Sequence, residues 1–388
     1  MSWSRKTVTK IDAYKSQFRS LAIMGVRQCG KTTICKEIFK DLNYLNFENL
    51  TTAQYATEDP KQFLIQNQNG AVFDEIQRVP HLFNYLQELL DNQTERGKFV
   101  LTGSSNFLLN QNINQSLAGR IGFIEMYLFS YYEIVGAASF AVWEHIQKGS
   151  YPEVWVNHLN PSYFYSNYIQ SVIERDIRQL VNLKNLNLFQ QFVKYLVSLI
   201  GQELNFTKIS NELNVDVKTV QAWISYLQVA GFIYLLPPYY ANFGKRAVKR
   251  PKLYFIDCGI FCALLGIDTV AQLENHPLKG NLFENFCVTN IVKENSFNTS
   301  KSNLYYWRSS NGVEVDLIIE KGMSLLLVEI KSRSTFNSKW FKNMDAWNNY
   351  AKKNYTSAII YSGNEELIFS NNKNGIPYSK METLFNLI

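Results

Sequence analysis

Histidine and cysteine are scarce in this chain: 388 residues contain four histidines and five cysteines. The cysteines (Cys29, Cys35, Cys258, Cys262 and Cys287) are odd in number and scattered, which excludes a disulfide framework. None of the histidines is spaced with them as paired zinc ligands, so any metal is expected on oxygen donors. Long apolar runs are missing as well. The most apolar long window, Phe123 to Trp143, is broken by Glu125 and Glu133, and no uncharged run approaches the length of a membrane span. The N-terminal MSWSRKTVTKIDAYKS has no apolar stretch of the secretory kind. A cytoplasmic protein without a membrane partner is the expectation. Charge of one sign is not in strong excess either, since a formal net charge of +6 over this length permits acidic partners without implying them.

What is abundant is apolar material, 46% of residues, enough to fill the two or three cores that this length demands. The apolar run Leu21 to Met24 leads directly into Gly25, Val26, Arg27, Gln28, Cys29, Gly30, Lys31, Thr32 and Thr33, the phosphate-binding pattern G-x-x-x-x-G-K-[ST]. A helical segment, Thr32 to Leu42, begins at the Lys-Thr pair. Loop and helix N–H groups therefore point at phosphates, and the glycines permit the tight wrap. Lys31 reaches the β and γ phosphates of ATP, and the Thr32 hydroxyl ligates Mg2+. Downstream, Ala71-Val-Phe-Asp74-Glu75 reads as a buried strand ending in two acids. Asp74 is expected to hold the magnesium and Glu75 to polarise the attacking water. A further strand, Lys98 to Thr102, runs into Gly103-Ser104-Ser105-Asn106 at the sheet edge where ligands bind. Thr102 and Ser104, ahead of Ser105, are the expected sensors of the γ-phosphate.

The segments GVRQCGKTT, AVFDEIQ and FVLTGSSN, in that order, resemble the AAA+ branch of P-loop ATPases. The resemblance implies an arginine acting in trans on a neighbour's nucleotide, and Arg120 in Ser116-Leu-Ala-Gly-Arg120 is the candidate, implying a homo-oligomer. A salt bridge within its own subunit is the alternative. The helices from Ser130 to Asn187, broken at Gly149 and Pro152, suit a helical lid, on which Arg175 is a further candidate.

Between Asn205 and Phe232 two short helices flank a turn at Asn214, and a strand begins at Gly231, the order of a winged helix-turn-helix. Its second helix exposes Lys218, Thr219, Gln221 and Ser225 to a groove. The stretch from Tyr239 to Lys252 interleaves Lys245, Arg246, Lys249, Arg250 and Lys252 with Tyr239, Tyr240 and Phe243, a composition suited to DNA or another nucleic acid.

From Lys279 a helix precedes three short strands, a helix and another strand, an αβββαβ order. Glu314 and Asp316 alternate on one strand and Glu329 and Lys331 on the next, so each pair shares a face. Asp316 and Glu329 are expected to bind magnesium, Glu284 to support it from the helix, and Lys331 to orient water. The spacing resembles the PD-(D/E)xK nucleases. Taken whole, the chain resembles bacterial and archaeal AAA+ ATPases that carry a winged helix and a C-terminal nuclease-like domain. The resemblance rests also on Glu174-Arg175-Asp176-Ile177, Lys252-Leu-Tyr-Phe-Ile-Asp257-Cys-Gly259 and Gly280-x-x-Phe283-Glu284-Asn285. The implied fold is α/β: an ATPase domain at 1–129, a helical lid at 130–190, a winged helix-turn-helix at 191–252 and a restriction-endonuclease-like domain at 253–388. Two functions fit this architecture: an ATP-driven enzyme acting on nucleic acid, or an ATP-dependent switch for a protein partner.

Overall fold

The structure is a computed structural model that describes residues 3–104, 117–136, 141–172, 186–240, 250–309, 311–349 and 354–388. Five parallel strands form the first sheet: β1 (Ser20–Gly25), β2 (Asn43–Asn46), β3 (Ala71–Asp74), β4 (Phe99–Ser104) and β5 (Ile121–Met126), in the order β2-β3-β4-β1-β5. All six residues of β1 are buried, as a central parallel strand covered on both faces requires. Because every pair is parallel, Gly25, Asn46, Asp74 and Ser104 end at one edge. Gly25 must be glycine there, since a Cβ would lie 2.0 Å from the carbonyl oxygen of Met126. The helix after the loop is Lys31–Ile38, shorter than the sequence suggests.

The middle of the chain is helical. Ser130 caps the helix Tyr131–Val135 in a reciprocal pair of bonds with Glu133. Helices Val142–Lys148, Pro152–Val156, Pro161–Val172 and Leu186–Val197 follow. Asn205 and Asp216 cap the helices Phe206–Leu213 and Val217–Val229, and Asn214 takes the left-handed conformation at the turn between them. Strands β6 (Ile233–Leu236) and β7 (Lys252–Phe255) then pair antiparallel. The division drawn at residue 252 is corrected here: it cuts through β7, whose Lys252 pairs with Leu236 as the first rung of the ladder. The helix Cys258–Leu265 likewise packs back on Val142–Lys148 and Pro161–Val172.

The helix Lys279–Phe297 leads into a mixed sheet of β8 (Asn303–Arg308), β9 (Glu314–Lys321), β10 (Ser324–Lys331), β11 (Thr356–Tyr361), β12 (Leu367–Phe369) and β13 (Lys373–Pro377). Its order is β12-β13-β11-β10-β9-β8. The expected αβββαβ order is present, with β12 and β13 added at one edge. Beyond β6 the chain runs along β8 at the other edge. There Tyr306 N–H donates to the Pro237 carbonyl at 3.0 Å and Tyr239 N–H donates to the Tyr306 carbonyl at 2.7 Å. One buried cluster is continuous from Leu21, Ile23 and Ile124 through Trp223 and Phe255 to Phe286, Leu317 and Val328. The opposite faces of the two sheets carry their own cores, one around Phe73 and Leu86 and one around Ile318 and Trp347.

Candidate functional site

The loop after β1 wraps through left-handed residues at Gln28 (φ 59°) and Gly30 (φ 94°) and delivers Lys31 at the start of its helix. The Lys31 ammonium is buried and donates to the carbonyls of Gly25 and Val26, both at 3.0 Å, so it closes on the loop's own backbone. One residue on, the Thr32 hydroxyl donates to Asp74 Oδ2 at 3.2 Å. Asp74 is buried at the end of β3 and also accepts the hydroxyls of Thr102 and Tyr44. The sequence-expected Thr32, Asp74 and Thr102 therefore meet. Tyr44 was missed because a tyrosine on the short strand β2 carries no motif; the register sets it opposite Val72, two residues before Asp74 on the same face, and its hydroxyl reaches Asp74 from there. Burial and the Asp74 charge push its phenol well up, and they push the Cys35 thiol up to about 12.

Glu75 takes a left-handed conformation (φ 57°) at the end of β3 and accepts a bond from the Gln77 amide. It lines a cleft of about 550 Å³ with Lys31, Thr32 and Thr33 on one wall and Glu153 and Tyr168 on the other. The far wall comes from the helices Pro152–Val156 and Pro161–Val172, which face the loop across the cleft. The oxygen donors Thr32 and Asp74 suit a hard divalent cation. Ser104 ends β4 in register with Gly25. Ser105 and Arg175 lie outside the described residues.

Arg120 is not brought to this cleft. It precedes β5, whose first residue pairs with Ser20, at the sheet edge opposite the loop. Its guanidinium grips Asp91 through Nε and NH2, the latter at 3.0 Å from Oδ2.

A second cluster forms where β7, β9, β10 and the helix Lys279–Phe297 meet. Glu284 Oε1 accepts the Tyr254 hydroxyl at 2.7 Å and faces Lys252 Nζ at 3.2 Å. Lys252, 2% exposed, also pairs with Glu314. Asp316 Oδ2 accepts the Ile330 N–H at 2.8 Å and lies 3.9 Å from Lys331 Nζ, which in turn sits 2.6 Å from Glu329 Oε1. Glu329 Oε2 is buried without a hydrogen-bond partner. Burial, with Asp316 nearby, pushes Glu284 up to about 7 and Glu329 up to about 8. Glu284, Asp316, Glu329 and Lys331 are thus brought together as expected. Their expected role as a magnesium site does not fit the arrangement: the carboxylates are engaged by two lysines, and among the described residues no three His, Cys, Asp or Glu side chains are disposed to hold a metal ion.

Lys252 also overturns part of the phosphate-binding reading of its loop, because its ammonium is inside this cluster. Tyr239 is a core anchor, its ring 5.4 Å from those of Tyr305 and Trp347. Phe243, Lys245, Arg246 and Lys249 lie outside the described residues. On the helix Val217–Val229, Lys218, Gln221 and Ser225 are exposed, while the Thr219 hydroxyl is committed to Asp216 at 2.6 Å.

Family models match three successive stretches of the chain. A family model described as an AAA domain matches residues 17–135, and two domains of unknown function, DUF8612 and DUF4143, match residues 139–271 and 279–381. An uncharacterized protein of Mycobacterium tuberculosis is 28% identical, over 81% of this chain and 70% of its own. An uncharacterized protein of Haemophilus influenzae is 22% identical, over 87% of this chain and 88% of its own. Among solved structures, a Walker-type ATPase of Pyrococcus abyssi is 12% identical, with a TM-score of 0.47 over 68% of this chain and 96% of that one. The N-terminal unit is a P-loop ATPase domain of the AAA type. No helix among the described residues is long and apolar enough to cross a membrane.

Proposed function

We propose that this chain binds ATP with magnesium, hydrolyses it, and uses its nucleotide state to control a nuclease-like C-terminal domain acting on nucleic acid. The observation that carries the proposal is the meeting of Lys31, Thr32, Asp74 and Thr102 at one sheet edge, in a cleft large enough for a nucleotide. With nucleotide bound, Lys31 would exchange the carbonyls of Gly25 and Val26 for the β and γ phosphates, and Thr32 and Asp74 would hold a magnesium ion whose charge would offset that of the phosphates. Glu75, on the cleft wall, orients the attacking water.

Control of the C-terminal domain is supported by one contact. Gly231, with φ +74°, opens the turn into β6, and a Cβ placed there would lie 2.4 Å from Val26 Cγ2 of the phosphate loop. The loop therefore rests on the hairpin whose other strand begins at Lys252 in the second cluster. Two helices, the turn at Asn214 and that hairpin support a winged helix-turn-helix with Lys218, Gln221 and Ser225 outward. The αβββαβ order with Asp316, Glu329 and Lys331 assembled supports the nuclease-like reading. Capture of the acids by Lys252 favours a second reading, a nucleotide-dependent switch with a catalytically silent C-terminal domain.

The test is nucleotide binding and hydrolysis by the purified chain, with DNA and RNA binding measured with and without ATP at two salt concentrations. Lys31→Ala is expected to abolish ATP binding, and Glu75→Gln to retain it with hydrolysis down about 100-fold or more. Undiminished hydrolysis by Glu75→Gln overturns its role. Nucleic-acid affinity must fall with salt; absent or salt-insensitive binding removes the nucleic-acid half and leaves the switch.

A further inference from the structure

We infer that the Lys252 ammonium is the resident cation of the C-terminal acid cluster and keeps that cluster closed to divalent metal. Four carboxylates gather there, Glu284, Glu314, Asp316 and Glu329, and two of them, Glu284 and Glu314, face Lys252 rather than Lys331. Burying a charged lysine is costly unless it is paired on all sides. Lys252 is so paired: beyond the two carboxylates, its ammonium lies 5.5 Å from the centre of the Tyr306 ring, and the Tyr254 hydroxyl shares Glu284 Oε1. Its backbone is pinned as firmly, by pairing with Leu236 in β6 and by a bridge to Glu203. The ammonium is held by the fold and is not a mobile surface group that happens to touch an acid.

The cluster is nevertheless one contact short. Glu329 is 4% exposed and its Oε2 has no hydrogen-bond partner, although it lies within a nest of charged groups. As they stand, these acids are not grouped around one point as metal ligands; withdrawing Lys252 would leave the four carboxylates with Lys331 and, on Glu314 alone, Arg308, a surplus of negative charge on hard oxygen donors that draws magnesium or manganese in as its replacement. With Lys252 in place, a dication would enter beside two ammonium groups, and repulsion at such distances in a buried site opposes binding strongly. The cation that balances these acids is therefore carried in by β7. This deepens the nuclease-like reading of the domain, and it is a property of the folded chain that requires no nucleotide.

The experiment is a manganese titration of the full chain, followed by electron paramagnetic resonance of the free ion, for the wild type, Asp316→Asn, Lys252→Met and Lys252→Met/Asp316→Asn. The wild type is expected to show no site in the millimolar range that Asp316→Asn removes, manganese held at Asp74 being common to every variant. Lys252→Met is expected to gain one site, tighter by at least about tenfold, and the added Asp316→Asn to remove it. A wild-type site of the same affinity that Asp316→Asn abolishes overturns the inference, as does a folded Lys252→Met chain that gains nothing. Folding is checked by circular dichroism. If Lys252→Met does not fold, Lys252→Gln/Glu314→Gln, which removes one charge of each sign, is titrated with the same two outcomes. Cleavage of DNA and RNA by each variant is scored separately: a gained manganese site without cleavage leaves this inference standing while the nuclease reading falls.

Discussion

Glu329→Gln should make the protein more stable at alkaline pH and leave it nearly unchanged at acid pH. The carboxyl is buried, its Oε2 has no partner, and burial with Asp316 nearby raises it from an ordinary 4.5 to about 8. Between those values the folded chain holds this proton more tightly than the unfolded chain, so raising the pH across the window drains stability. Each pH step of the rise corresponds to about 1.4 kcal/mol, which sets an upper bound of roughly 5 kcal/mol on the cost of ionising Glu329 in the folded chain. Glutamine reproduces the protonated form: its carbonyl still accepts from Lys331, which lies 2.6 Å from Glu329 Oε1, and it never ionises. Losing the attraction of a full charge for Lys331 offsets part of the gain, leaving about 2–4 kcal/mol at pH 8.5. In thermal unfolding of a chain this long this amounts to roughly 2–5 °C. At pH 5 the two proteins should melt within about 1 °C of each other. The measurement is melting temperature from pH 5 to 8.5 for both. A wild-type curve that does not fall across that range, or a variant melting below wild type at pH 8.5, refutes the assignment of a neutral, buried Glu329.

Two further substitutions test the geometry around the nucleotide. Gly231→Ala places a methyl group against Val26 at a left-handed position, whereas Gly266→Ala meets the same backbone penalty at φ +69° with nothing within 4 Å. Gly266→Ala should lose about 1 kcal/mol of stability and Gly231→Ala more, because Val26 must also give way, but only Gly231→Ala should weaken ATP binding, by roughly tenfold; equal nucleotide affinity in the two variants breaks the proposed link between phosphate loop and hairpin. Arg120→Ala removes a largely exposed pair with Asp91, so stability should change by less than about 1 kcal/mol and specific ATPase activity should match wild type at every protein concentration. A large loss of hydrolysis would instead favour the trans-acting arginine.

What could be read from the sequence is what short-range spacing determines. Lys31, Thr32 and Asp74 were legible because a phosphate cradle needs those residue types within one turn and at one strand end. Asp316, Glu329 and Lys331 were legible because a period of two puts alternate residues on one face. Tyr44 and Lys252 were not, because each acquires its role from a partner strand: β3 beside β2 for Tyr44, β6 beside β7 for Lys252. Lys252 is the more instructive case. In the sequence it closes a run of cations that looks made for phosphates, and composition cannot distinguish a solvated lysine from one inserted among carboxylates. Only the register of a four-rung ladder, Ile233 to Leu236 against Phe255 to Lys252, turns it inward. The consequence reaches both candidate activities. One cation leaves the nucleic-acid footprint, and the same cation fills the acid cluster that the motif alone assigns to a metal. On the proposed reading, a single residue on one strand is withheld from phosphate and decides whether the C-terminal acids can admit a dication.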